Sequence, residues 1–147
     1  LEERTHAHPI QAVMNIVLDT NCLLMSLSRR SRYYHVWRDF VDGKYTLCIT
    51  NEILAEYEEI LTQKVGPEIA SNVIKALLDL PNTKIVQVYY HLRLITADPD
   101  DDKFVDCAFK ANAKYIVTQD HHYDVLKQTP FPRIEVVDID EFLKILH

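Results

Sequence analysis

The sequence predicts an α/β fold, a five-stranded parallel sheet covered by helices. Two observations carry that expectation. Five short apolar runs recur along the chain, and the stretches between them place apolar side chains at helical spacing. With 147 residues, 48% hydrophobic and 26% charged, the chain also has enough apolar material for one core, and it is neither disordered nor fibrous.

Residues 1–13 show no period and read as an appended tag remnant or a flexible arm. His6 and His8 form an H-x-H pair there, whose ordinary reading is a solvated tail. Met14 fits a natural start, and residues 14–147 form the domain. Asn15 to Leu18 reads as a buried strand ending at Asp19-Thr20-Asn21. Thr20 or Asn21 then caps a helix through Cys22 to Leu27. Tyr33, Val36, Trp37, Phe40 and Val41 give residues 31–41 a helical face, and Asp42-Gly43-Lys44 turns the chain. Thr46 to Ile49 is the second strand. Thr50 or Asn51 caps the next helix, which runs through Gln63 with Ile53, Leu54, Tyr57, Ile60 and Leu61 on one face.

Gly66-Pro67 breaks the chain and starts a helix to about Leu80. Lys84 to Val88 is the third strand. Asp98-Pro99-Asp100-Asp101-Asp102 is an acidic loop leading into a helix that ends near Asn112. Tyr115 to Thr118 and Ile134 to Val137 are the remaining strands, with a short helix around Asp124 to Lys127 between them. Ile139 to Leu146 is the last helix.

Composition narrows the function. Gly43 and Gly66 are the only glycines, so no G-x-G-x-x-G and no Walker A loop can be written. Cys22, Cys48 and Cys107 lack C-x-x-C spacing, which sets aside zinc ribbons and thioredoxin chemistry and fits a reducing cytoplasm. No apolar run approaches the roughly 18 to 20 residues of a membrane span. The 16 Lys+Arg against 22 Asp+Glu, a net charge of −6, exclude a general basic coat but leave room for a local patch.

Ligand sites in open parallel sheets lie beyond the carboxyl ends of the strands. Asp19 follows the first strand and Asp120 the fourth; Asp102 opens the helix before the fourth strand, and Glu56 lies about two turns into the helix after the second. These acids can converge at one edge of the sheet. Carboxylates sharing a crevice repel, and a hard divalent cation removes the conflict. Oxygen-only ligands favour Mg²⁺ or Mn²⁺ over Zn²⁺. Such an ion lowers the pKa of bound water and stabilises charge on a phosphodiester, so the residues alone suggest metal-assisted phosphoryl chemistry.

Four segments in order resemble the PIN-domain ribonucleases, and among them the toxin components of bacterial toxin–antitoxin systems. They are Ile16-Val17-Leu18-Asp19-Thr20-Asn21, Glu56-Tyr57-Glu58-Glu59-Ile60-Leu61, Asp98-Pro99-Asp100-Asp101-Asp102-Lys103-Phe104 and Tyr115-Ile116-Val117-Thr118-Gln119-Asp120. The resemblance implies a Rossmann-like three-layer α/β/α sandwich with a mainly parallel sheet. It implies Mg²⁺- or Mn²⁺-dependent endonucleolytic cleavage of RNA to a 5′-phosphate and a 3′-hydroxyl. A homodimer or higher homo-oligomer and an antitoxin that occludes the site are also implied. Carried over by motif, Asp19, Glu56, Asp102 and Asp120 form the acidic quartet, supported by Asn21 and Thr118. Asp19 and Asp102 would hold the ion most directly, with Glu56 and Asp120 acting through water. The family's Thr-Gly-Asp is Thr118-Gln119-Asp120 here, a departure that bears on how Asp120 is placed.

Ordinary roles compete for each residue. Asp19 has helix-capping chemistry, Glu56 lies in a Glu-rich helix, and the run from Asp98 suits a helix N-terminus. Asp106, at i+4 from Asp102, reads as a supporting acid or a solvated one. Arg29, Arg30 and Arg32 with Tyr33 and Tyr34 form a basic–aromatic cluster suited to contacting RNA phosphates and bases. One of His121 and His122 is placed to touch a phosphate, although scattered histidines are ordinarily surface residues. Two further function classes remain. One is a non-catalytic PIN-type module that binds RNA or a partner. The other is a phosphoacceptor receiver domain, which ranks low because Val86-Gln87-Val88-Tyr89-Tyr90 supplies no aspartate after the third strand.

Overall fold

In the computed structural model, which describes residues 14–95, 99–129 and 133–147, five strands pair in the order β3-β2-β1-β4-β5, all parallel. They are β1 (Asn15–Leu18), β2 (Thr46–Ile49), β3 (Thr83–Ile85), β4 (Tyr115–Val117) and β5 (Val136–Val137). Helices α1 (Thr20–Met25) and α2 (Tyr34–Val41) join β1 to β2, and α3 (Asn51–Val65) and α4 (Pro67–Asp79) join β2 to β3. A 3₁₀ turn, Pro99–Asp101, leads into α5 (Asp102–Ala111) before β4. A 3₁₀ helix, His121–Gln128, precedes β5, and α6 (Ile139–Leu146) ends the chain. The architecture is the α/β one expected. The segment 1–13 and Asp98 lie outside the described residues.

Burial explains why the sheet is central. Ile16, Val17 and Leu18 are all buried, as are Leu47, Cys48 and Ile49. Successive strand residues point to opposite faces, so both faces of β1 and β2 are covered. α5 packs over β1, β2 and β4, while α3 lies along α4 and α2 meets α6. Tyr45 joins the core to that last pair: its ring lies 6.0 Å from Phe40 and 5.3 Å from Phe142, and its hydroxyl donates to the Val36 carbonyl at 2.6 Å.

Several boundaries depart from the sequence expectation. The third strand, expected at 84–88, pairs only over 83–85, with one further bond from Val86 N to the Ile49 carbonyl at 2.9 Å. β2 stops there because Thr50 caps α3, its hydroxyl accepting from Ile53 N at 3.1 Å. An edge strand has no other neighbour, so β3 ends with its partner. The fifth strand is likewise shorter than 134–137. The helix expected from residue 31 begins at Tyr34, after a turn closed by Tyr34 N to the Ser31 carbonyl. α1 starts at Thr20 with Asp19 in the capping position, instead of Thr20 or Asn21. The short helix near 124–127 is a longer 3₁₀ segment.

The strand order positions the site. Connections run leftward from β1 to β2 to β3 and rightward from β4 to β5, so the topology reverses between β1 and β4. The carboxyl ends of those two strands flank the resulting crevice. Asp19 leaves one and Asp120 the other.

Candidate metal centre

The β1–β4 ladder extends one residue past β1, with Asp19 N donating to the Val117 carbonyl at 2.9 Å. This register sets Thr118 beside Asp19, and its hydroxyl donates to Asp19 Oδ2 at 2.6 Å. The Thr118 hydroxyl oxygen in turn accepts from Asp120 N at 3.0 Å. One buried hydroxyl therefore orients two acids from different strands. The position after the threonine, glycine in the family pattern, is used structurally: Gln119 Oε1 accepts from Ile139 N at 2.8 Å and ties the loop to the start of α6.

Asp19 is 8% exposed and, although at the head of α1, makes no capping bond. Burial pushes its carboxyl above the ordinary value, and the nearby negative charges of Glu56 and Asp120 add to the rise. Thr118 pulls the other way, as does the Thr20 amide, which falls short of a capping bond.

Glu56 reaches the site from α3. The buried Tyr57 hydroxyl donates to the Leu18 carbonyl at 2.5 Å, fixing α3 against the end of β1. The Thr20 hydroxyl donates to Glu56 Oε2, and Lys103 Nζ lies 2.7 Å from Oε1. Lys103 is 10% exposed and Glu56 27%, so the pair is open to solvent on the Glu56 side.

From the far side of the crevice come Asp101, Asp120 and His122, whose ligand atoms all lie within 4.8 Å of one another. His122 Nδ1 is 3.3 Å from Asp120 Oδ1 and 3.7 Å from Asp101 Oδ2. Asp120 Oδ1 also accepts from His122 N at 2.8 Å, capping the 3₁₀ helix. Tyr123 links this group to Asp19. Its buried hydroxyl donates to the Asp101 carbonyl at 3.3 Å. Burial raises the phenol far above its ordinary value, and the charges of Asp19, Asp101 and Asp120 raise it further.

The structure brings together Asp19, Glu56 and Asp120 of the sequence-derived quartet, with Thr118 between them, but not Asp102. Asp102 Oδ1 accepts from Ile95 N at 2.8 Å. Asp106 is 3% exposed; its Oδ1 accepts from Leu92 N at 2.9 Å, and its Oδ2 lies 3.1 Å from His91 Nδ1. Residues at i and i+4 share a helix face, and this face of α5 holds the extended segment 91–95. A helix advances roughly 100° per residue, so Asp101 faces the crevice while Asp102 faces that segment. Asp101, Lys103 and Tyr123 were missed from sequence. The acid run signalled Asp101 without its phase, and nothing signalled the other two.

Asn21 is exposed beside Asp19. Arg29 and Arg30 are exposed, whereas Arg32 pairs with Asp140 at 2.7 Å and lies 4.9 Å from the centre of the Tyr33 ring. His121 is exposed and faces Asp124 at 3.5 Å. The donor set fits a hard divalent cation. It offers carboxylate oxygens of Asp101 and Asp120 within ligand spacing of each other and of the His122 ring, with the buried Asp19, whose charge its neighbours disfavour, tied to Asp120 through Thr118.

No curated protein sequence matches the chain. Solved structures share its fold at low identity. VapBC-1 from nontypeable Haemophilus influenzae has a TM-score of 0.58 at 14% identity, covering 86% of this chain and 99% of that one. VapBC2 from Rickettsia felis, bound to a promoter DNA fragment, has 0.57 at 18%, covering 85% and 98%. The sarcin–ricin-loop-cleaving toxin VapC20 of Mycobacterium tuberculosis has 0.54 at 15%, covering 81% and 98%. The PIN domain family matches residues 15–122, which span β1 to the 3₁₀ helix and include every acid of the crevice. This chain belongs to the PIN domain family.

Proposed function

We propose that this protein is a Mg²⁺- or Mn²⁺-dependent endoribonuclease, the toxin of a cytoplasmic toxin–antitoxin pair, with Asp19, Asp101, Asp120 and Glu56 as its acidic quartet. One observation carries the reading. Thr118 couples the buried Asp19 to Asp120 across the topological switch point, with Asp101 and Asp120 within ligand distance of each other. The PIN family membership and the fold shared with VapBC structures support the nuclease and the antitoxin partner.

Asp19, Asp101 and Asp120 would hold the ion, which when bound supplies charge stabilisation at the scissile phosphate and a more acidic water. Thr118 holds the Asp19 carboxylate and the Asp120 backbone amide at the crevice. Glu56, clamped between the Thr20 hydroxyl and Lys103, accepts a proton from the attacking water at its carboxylate. The Lys103 ammonium adds a fixed positive charge beside the phosphate path. Asn21, Arg29 and Arg30 stand exposed for RNA contact; Arg32 is engaged by Asp140. Exposed Ile69 and Leu78 on α4, which packs against the edge strand β3, and exposed Ile85 on that strand support a homodimer through that side. No helix among the described residues is long and apolar enough to cross a membrane.

The test is cleavage of single-stranded RNA by purified protein with Mg²⁺ or Mn²⁺, with and without chelator, for wild type and Asp19→Asn. Metal-dependent cleavage that Asp19→Asn abolishes is expected. Equal cleavage in chelator, or by Asp19→Asn, contradicts the proposal. Metal binding without cleavage of any RNA favours the non-catalytic module.

A further inference from the structure

The segment 86–95 is extended yet outside the sheet, and it displays two aromatic rings. Tyr89 is 73% exposed and Tyr90 82%. Side chains of that size are ordinarily at least half covered, and neither ring packs into the core. The backbone beneath them is nevertheless held firmly. Asp106 takes the Leu92 amide and contacts His91, and Asp102 takes the Ile95 amide. Arg93 sits between these anchors at φ 54, a left-handed conformation that persists only where surroundings enforce it. The Tyr89 hydroxyl donates to Gln87 Oε1 at 2.6 Å, and Lys110 Nζ lies 5.4 Å from its ring centre.

Two adjoining clefts, of about 280 and 490 Å³, separate this segment from α3 and α5. Tyr89 borders the first and Arg93 the second; His91, Lys103 and Asp106 line both. The inner end of the groove is Lys103, which touches Glu56 of the candidate metal centre. Of the acids on this side, Asp102 and Asp106 accept backbone amides, while Glu52 lines both clefts and is exposed. Exposed rings and the cations Arg93 and Lys103 therefore flank the path to the site, together with the exposed acid Glu52.

We infer that residues 86–95 form a base-stacking platform for single-stranded RNA, with Tyr89 and Tyr90 receiving bases and Lys110 and Arg93 contacting the backbone as it runs toward Lys103 and Glu56. Aromatic rings accept any unpaired base face, and flanking cations neutralise phosphates. A duplex buries those faces, so the platform selects single strands. Only the direction of the path, toward Glu56, rests on the nuclease reading.

The experiment measures anisotropy of a labelled single-stranded oligoribonucleotide and of its duplex in chelator, where no metal-dependent cleavage occurs. It compares wild type, Tyr89→Ala, Tyr90→Ala, the double variant and Tyr89→Phe, with circular dichroism to verify folding and light scattering for oligomeric state. Each alanine is expected to weaken single-strand binding by about tenfold, within the range for one stacked base. Phenylalanine retains binding, and duplex affinity stays unchanged. On cleavable RNA in Mn²⁺, KM rises while kcat holds. No single-strand binding by wild type, or unchanged affinity in a folded double variant, overturns the platform. A change of oligomeric state with RNA affinity unchanged also overturns it, assigning the rings to a protein contact. Absence of cleavage alone would sink the nuclease reading and leave the binding result standing.

Discussion

Asp19 and Asp39 are both buried aspartates, yet their surroundings are opposite in sign. Asp39, 3% exposed on α2, faces Lys44 at 3.9 Å and His147 at 3.1 Å. Asp19 faces Glu56 and Asp120, and its carboxyl is pushed upward. Asp106, the third such acid, is satisfied by a backbone amide and His91. A buried charge kept for structure is paired or hydrogen-bonded where it stands. Asp19 has one hydroxyl and the Thr20 amide, with further negative charge around it. That imbalance costs stability and makes sense for a group that meets a cation from solution.

The largest expected effect lies at the entry to α5. Asp101→Asn is expected to lower the RNA cleavage rate by on the order of 100-fold or more, since a metal ligand contributes several kcal/mol to charge stabilisation. Asp102→Asn, one residue away, is expected to keep kcat within about threefold and instead lower stability by about 1 kcal/mol, the difference between a charged and a neutral acceptor for the Ile95 amide. Cleavage assays paired with urea denaturation separate the two, and the reverse outcome would break the contrast drawn here.

Asp39→Asn and Asp19→Asn should move stability in opposite directions. Loss of the partner for Lys44 and His147 is expected to cost about 1 kcal/mol, because both side chains are half exposed and rehydrate readily. Asp19→Asn relieves like-charge repulsion while its side-chain oxygen still accepts from Thr118, so metal-free stability should hold or rise. Thermal unfolding in chelator reads both.

The smallest effect is in pH. A carboxyl whose folded pKa lies above the unfolded one binds its proton more tightly when folded. Its stabilising contribution is complete below the unfolded value, near 3.8, and is lost as pH rises through the folded pKa. Metal-free wild type should therefore lose stability over that window relative to Asp19→Asn. If the two pH–stability curves run parallel there, the neighbours do not disfavour the Asp19 charge.

The comparison also shows what a sequence can disclose. The strands around the switch point are short apolar runs ending in Asp19 and Thr118-Gln119-Asp120, so element and acid are legible together. Glu56 is legible as a helix residue two turns from a cap. The acid run at 98–102 is different. Which aspartate enters the crevice depends on a 3₁₀ turn fixing the phase of α5, and neighbouring identical residues carry no phase information. Lys103 and Tyr123 act through partners distant in sequence, Glu56 and Asp101, which no local pattern encodes. The early end of β3 has the same origin, because its length is set by where β2 turns into α3.

The central claim is that Asp19, Asp101 and Asp120 together bind one divalent cation. Mn²⁺ titration followed by electron paramagnetic resonance, on wild type, Asp19→Asn, Asp101→Asn and Asp102→Asn, tests it most directly. The account predicts saturable binding by wild type and Asp102→Asn and its loss in Asp19→Asn and Asp101→Asn. No saturable binding by wild type, or binding lost in Asp102→Asn but kept in Asp101→Asn, would contradict it.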